Sequence, residues 1–294
     1  MMDNTCVSDN RKAIKLNELC YIIFFELMFL AKAVGLYDGQ TAYKAILVTS
    51  VIFFCAKMLL TEYTWPEFAA ALLLLLFGMV IYRISGEKGL LLCIMVVTGM
   101  KGVSVKKVFR ISMWVWGIAV TGTVLFYLTH LSMSDFRAHQ KLGTSNILRW
   151  SLGYSHPNIL HITYFVLTAL IVYNLGKRYS FRDLGILMAG NLYIFLYSIS
   201  YTGVLITAVY LICALAVVRR DRMAGAEKIL AQLIFPLCVT VSLLSPVILP
   251  EKLFNIGDKI FNHRLQLAKV DMVPEYMKLF FFFNDTATTE IYTM

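Results

Sequence analysis

Between residues 16 and 249 the chain is written as a series of apolar runs, each close to the length a helix needs to cross a bilayer. A transmembrane helix takes roughly 20 apolar residues. By that rule the runs predict nine helices, over about 16–36, 41–61, 65–83, 89–103, 108–130, 157–174, 184–200, 202–218 and 229–249. Backbone polar groups placed in lipid have to be satisfied within the segment, so such runs are helical. The expected fold is therefore all-α: a polytopic integral membrane protein of about nine transmembrane helices, with an extracytoplasmic polar loop near 131–155. Only 15% of the residues are charged, against roughly a quarter in a soluble domain. That excludes a string of water-soluble domains.

The formal charge of +9 would suggest nucleic acid in a soluble protein, but here no nucleic-acid partner is expected. The basic residues gather in short loops: Lys101, Lys106, Lys107 and Arg110, then Lys177, Arg178 and Arg182, then Arg219, Arg220, Arg222 and Lys228. By the positive-inside rule these loops face the cytoplasm, which puts the N-terminus inside. Lys32, Lys44 and Lys57 lie near helix ends, from which they can snorkel to the interface. All five histidines, His130, His139, His156, His161 and His263, then fall in or beside outer segments. Glu26 lies nearer mid-span, where an ionisable group is costly and is a functional candidate by default; a protonated or hydrogen-bonded packing residue is the equal alternative. The six cysteines show no Cys-x-x-Cys spacing, so neither a disulfide framework nor a metal site is expected.

Arg149-Trp-Ser-Leu-Gly-Tyr-Ser-His-Pro-Asn-Ile-Leu160 joins the outer loop to the sixth apolar run. Pro157 suits the first turn of a helix, where its missing N–H costs nothing. Gly153 allows backbone conformations that other residues resist. An arginine at a membrane boundary suits phosphate or carboxylate, because its planar fork donates two parallel hydrogen bonds and stays charged. Arg149 and Trp150 could equally serve as interfacial anchors. The sequence lacks a Gly-x-x-x-x-Gly-Lys-Ser/Thr loop, a Gly-x-Gly-x-x-Gly, a His-Glu-x-x-His, a Gly-x-Ser-x-Gly and an Asp-x-Asp pair. A nucleotide-driven enzyme is disfavoured, and no cofactor and no metal are expected.

The segment Arg149 to Asn158 resembles the signature that follows the outer loop in bacterial polysaccharide repeat-unit polymerases and O-antigen ligases. Tyr197-Ser-Ile-Ser-Tyr-Thr-Gly-Val-Leu205 is similar to that family's Ser-x-Ser-Arg-Thr-Gly-Leu-Leu segment, with Tyr201 where the family usually has arginine. Ile260-Phe-Asn-His-Arg-Leu265 is similar to its Gly-Arg-Leu motif, with His263 in place of a small residue. The resemblance covers roughly residues 100 to 270. It implies a metal-independent glycosyltransferase that polymerises or transfers oligosaccharide repeat units carried on undecaprenyl pyrophosphate, working at the outer face of the bacterial cytoplasmic membrane in capsule, exopolysaccharide or O-antigen synthesis. On that reading Arg149 and Arg264 flank the pyrophosphate. Gly153, Asn158 and Ser200 belong to the substrate site, and His156 and His263 are the candidates for the base that activates the acceptor hydroxyl. The implied partners are the undecaprenyl-pyrophosphate-linked glycan and membrane lipid, with a chain-length regulator left open. The rival reading is a polysaccharide transporter or lipid-linked-oligosaccharide flippase. Such proteins commonly carry inverted repeats with matching Gly/Pro breaks, and the prolines here do not recur in register.

Residues 280–294, Phe-Phe-Phe-Phe-Asn-Asp-Thr-Ala-Thr-Thr-Glu-Ile-Tyr-Thr-Met, read as a translated sequencing adapter. The expectation is a membrane domain over 1–279 whose natural chain continues into further helices.

Overall fold

The computed structural model describes residues 15–130, 136–141, 145–220, 225–260, 265–266 and 269. Helices form over all nine predicted runs: α1 (Leu16–Ala33), α2 (Thr41–Leu59), α3 (Trp65–Ser85), α4 (Gly89–Gly99), α5 (Val105–Thr129), α6 (Pro157–Leu175), α7 (Phe181–Ser198), α8 (Tyr201–Val218) and α9 (Gly225–Ile248). A tenth, α10 (Glu251–Ile260), follows. Among the described residues, five helices are long and apolar enough to cross a membrane: α2, α3, α5, α6 with the short turn after it, and α8. Three of the other runs fall short of that standard: α4 has only 11 residues, α1 carries Glu18, Glu26 and Lys32, and Arg182, Asp183 and Asn191 dilute α7.

One part of the prediction changes. The segment read as a polar loop between helices holds an antiparallel pair, β1 (Phe136–Lys141) and β2 (Ser145–Trp150), with Arg137 opposite Arg149 and Phe136 opposite Trp150. The two strands are too short and too polar to show the alternation that marks a half-buried strand.

The described residues form two compact units. The first takes in Met1–Glu62 and Gly99–Arg220. In it α1 packs on α2 and α5, α5 on α6, and α6 on the hairpin of α7 and α8. Along α5 the buried residues Val108, Ser112, Trp116, Val120 and Val124 recur every four positions, so one stripe faces the core. Its opposite face shows Trp114, Ile118, Leu125 and Phe126, all more than half exposed. A helix bordering water would be polar there; this one is dressed for lipid.

The basic end of the unit is tied by Lys107 Nζ to Glu18 Oε2 at 2.8 Å, with the Ser104 N–H donating to Glu18 Oε1 at 3.1 Å. Lys57, expected to snorkel, is instead fully buried and donates to Thr61 Oγ1 at 2.5 Å and to the Lys101 carbonyl at 2.7 Å. A buried ammonium is held only where acceptors surround it.

The second unit takes in the described residues that fall within Tyr63–Thr98 and Asp221–Met294. Its α3 opens on a capping box between Thr64 and Glu67 and ends at Gly86, in the left-handed conformation typical of a helix stop (φ +75°). His263, Arg264 and the tail 280–294 lie outside the described residues.

Candidate functional site

At one end of the first unit, β2 leads into a tight turn. The Tyr154 N–H donates to the Ser151 carbonyl at 3.0 Å, and the two residues between them, Leu152 and Gly153, have φ of +46° and +83°. Two successive positive φ values are the mark of a type I′ turn. Gly153 is required twice over, since a Cβ there would lie 2.1 Å from the Tyr127 ring of α5. Beyond the turn, the Tyr154 hydroxyl donates to the Ala33 carbonyl at the end of α1 at 2.7 Å. Burial pushes the Tyr154 phenol above its usual pKa, which keeps it a donor.

Helix α6 then starts as the sequence predicts. His156, extended as a residue before proline must be, caps it: its Nδ1 accepts from the Asn158 N–H at 3.1 Å. His156 itself is exposed.

Arg149 sits behind this helix start, 5% exposed. Its Nε donates to the Ser198 carbonyl at 2.7 Å and its Nη2 to Asn158 Oδ1 at 2.6 Å. Neither acceptor is ionised; the Ser198 carbonyl, at the C-terminal end of α7, offsets only part of the positive charge through its partial negative charge. Burial lowers the Arg149 pKa from its usual value, yet a guanidinium stays charged in proteins.

Ser198 closes α7, Ile199 takes a left-handed φ of +42°, and Ser200 caps α8 by accepting from the Gly203 N–H at 3.3 Å. The Ser200 N–H in turn donates to Ser198 Oγ at 3.4 Å. Ser198 Oγ also meets His161 Nδ1 at 3.1 Å, and His161 Nε2 meets Asn191 Oδ1 at 2.8 Å. Asn191 Nδ2 donates to the Val204 carbonyl at 3.0 Å, which turns its Oδ1 toward the ring. Nε2 of His161 therefore carries the proton, and Nδ1 accepts from Ser198. His161 and Asn191 are both fully buried.

Four of the residues singled out from sequence thus share one hydrogen-bonded cluster: Arg149, Asn158, Ser200 and, through its cap, His156. Gly153 stands apart against α5, and His263 and Arg264 lie outside the described residues. Sequence reasoning did not assign His161, Asn191 and Ser198. The available signals were spacing and polarity: His161 is three residues after Asn158 and so on the same helix face, and Asn191 interrupts an apolar run. Tyr201, which stands where the resembled family has arginine, is exposed, with its ring edge-on to Phe195 at 5.3 Å.

No protein-family model matches the sequence, and neither a curated protein nor a solved structure matches it.

A buried cation bonded to no carboxylate lies beside the first turns of α6 and α8, whose positive partial charge outweighs the single C-terminal end of α7, and this makes an electropositive pole. Such a pole stabilises an anion brought to it. Among the described residues no cluster of three or more histidine, cysteine or acidic side chains is placed to hold a metal ion.

The fit of His161 against α8 gives a direct prediction. A Cβ on Gly203 would lie 2.5 Å from His161 Cγ and 2.9 Å from its Cβ, and Cβ moves only if α6 moves. Gly203→Ala is expected to cost about 1–3 kcal/mol by overpacking. Thermal unfolding of the detergent-solubilised variant reads this out, and an unchanged midpoint would rule out the close α6–α8 approach.

Proposed function

We propose that the chain is a membrane-embedded glycosyltransferase acting on lipid-linked oligosaccharide, extending or transferring repeat units carried on undecaprenyl pyrophosphate at the outer face of a bacterial cytoplasmic membrane. In this reading all nine apolar runs belong to the membrane region and the basic loops face the cytoplasm. The supporting observation is the Arg149 cluster. Two segments some forty residues apart in sequence, each resembling a motif of the polymerase and ligase family, share one buried network around a guanidinium whose partners here are neutral. A departing pyrophosphate gains negative charge as the glycosidic bond breaks. A preorganised positive pole favours that change and, aimed at the developing charge, contributes on the order of 3 kcal/mol to the barrier.

Arg149 is a positioning residue as much as a charge. Its Nε and Nη2 fix the end of α7 and the first turn of α6, the turn that the exposed His156 caps. In this reading His156 releases the Asn158 N–H, to which its unprotonated Nδ1 is bonded in the capped state, and that nitrogen takes the proton of the acceptor hydroxyl as the new bond forms.

His156→Asn is the informative variant, because asparagine also caps helices well but has no titrating nitrogen. The glycan of cells carrying the variant as sole copy is expected to collapse from a ladder to single repeat units, with the protein present at wild-type level. Unaltered ladders would remove His156 from the reaction. Single units accumulating on the cytoplasmic side would favour the flippase instead.

A further inference from the structure

A buried acid between α1 and α5 takes no part in the cluster above. Glu26 lies eight residues along α1 from Glu18. Its Oε1 is 2.5 Å from Ser112 Oγ, while Ser112 Oγ is also 3.0 Å from the Val108 carbonyl one turn back on α5. Ser112 is fully buried. The second carboxyl oxygen, Oε2, is buried and has no hydrogen-bond partner among the described residues.

A serine hydroxyl has one proton to give. It cannot serve both Glu26 Oε1 and the Val108 carbonyl. The 2.5 Å separation suits a neutral or a charge-assisted bond equally, so length does not decide where the protons lie. Oε2 decides it: were the carboxyl ionised, this oxygen would share a full negative charge with no donor near it, in a unit that holds four of the five span-length helices. An uncompensated charge in such surroundings neutralises by taking up a proton. If Glu26 is protonated on Oε1, every contact has its proton: Glu26 donates to Ser112, and Ser112 donates to Val108.

The charged side chains described on α1, α2 and α5 are engaged elsewhere or exposed, Lys106 among the exposed, and the buried Tyr21 phenol lies five residues before Glu26 on α1. On α1, Glu18 is paired with Lys107 of α5, and Lys32 lies over the Tyr43 ring of α2, 5.0 Å from its centre. Lys57 of α2 is bound to Thr61 and Lys101. Arg110 of α5 and Lys44 of α2 are exposed. Positions next to the pair on both helices are aromatic. Phe25 and Phe29, which bracket Glu26, and Phe109, one turn from Ser112, line an apolar cavity of about 440 Å³ with Phe165 and Tyr210.

We propose that Glu26 is an intramembrane proton-binding site, its carboxyl held protonated at neutral pH by donation to Ser112. The ligand is the proton itself. Its release would leave an anion between α1 and α5 and loosen their contact, giving the helix pair a switch that is independent of the Arg149 cluster.

Infrared spectra of the full chain in lipid bilayers in heavy water at neutral pH test this without any activity assay. Wild type is expected to show a protonated-carboxyl C=O band that disappears in Glu26→Gln and persists in Glu18→Gln. In Ser112→Ala, which keeps the acid and removes its acceptor, the band is expected to shift to higher frequency. Wild-type and Glu26→Gln spectra that superimpose in this region, or a Ser112→Ala band that does not move, would overturn the proposal.

Discussion

Arg149→Ala is expected to lower the stability of the first unit by about 2–4 kcal/mol, since it strands the buried Ser198 carbonyl and the half-buried Asn158 Oδ1, and hydrogen bonds from charged donors are the stronger kind. The gain from no longer burying a cation offsets only part of this. Arg149→Lys is the sharper comparison. A lysine keeps the charge but concentrates its donors at one point, so it cannot span from the end of α7 to the first turn of α6 as Nε and Nη2 do. It is expected to recover less than half of the loss. Thermal unfolding of the three purified proteins in one detergent measures this. A lysine variant as stable as wild type would show that charge, and not the fork, holds the cluster. Repeat-unit ladders should fail in both variants if Arg149 positions the α6 start for transfer. Ladders that persist in a destabilised Arg149→Ala protein would separate the fold from the function and count against the glycosyltransferase reading.

Gly153→Ala combines two penalties at one atom. A φ of +83° costs an L-residue roughly 1–2 kcal/mol, and the new Cβ would meet the Tyr127 ring at 2.1–2.6 Å, an overpacking of about 1–3 kcal/mol. The expected loss is about 2–5 kcal/mol. The two parts can be separated, because Tyr127→Leu shortens the side chain that is struck. The double variant Gly153→Ala/Tyr127→Leu is expected to sit closer to Tyr127→Leu alone than Gly153→Ala sits to wild type, with the backbone term remaining. If the two differences are equal, the ring contact carries no cost and the turn alone explains the glycine.

Helix positions were readable in the sequence because lipid imposes a length and a composition on any segment that crosses it. The start of α6 was readable to the residue, since His156 and Pro157 have to adopt an extended and a helical conformation in that order. The hairpin over 136–150 was not. It carries few apolar residues, and its pairing is set by hydrogen bonds that leave little trace in side-chain pattern.

The site was readable by half. Arg149, His156 and Asn158 stand within ten residues, so one motif holds them and the sequence shows them together. Their remaining partners do not stand nearby: Ser198 is 49 residues from Arg149 and 37 from His161, and Asn191 is 30 from His161. Nothing in one apolar run says which face it will turn toward another. That choice depends on how helix surfaces interlock. It depends here on Gly203 admitting the His161 ring and Gly153 admitting Tyr127. Lys57 makes the same point, since its place near a helix end fits snorkelling as well as the buried bonds it forms.

What the sequence determined by itself is local: which segments are helical, where they stop, and which few polar groups stand at their ends. Which polar groups meet was decided by the tertiary structure, because hydrogen bonds between buried side chains form only after packing has fixed the rotation and depth of each helix.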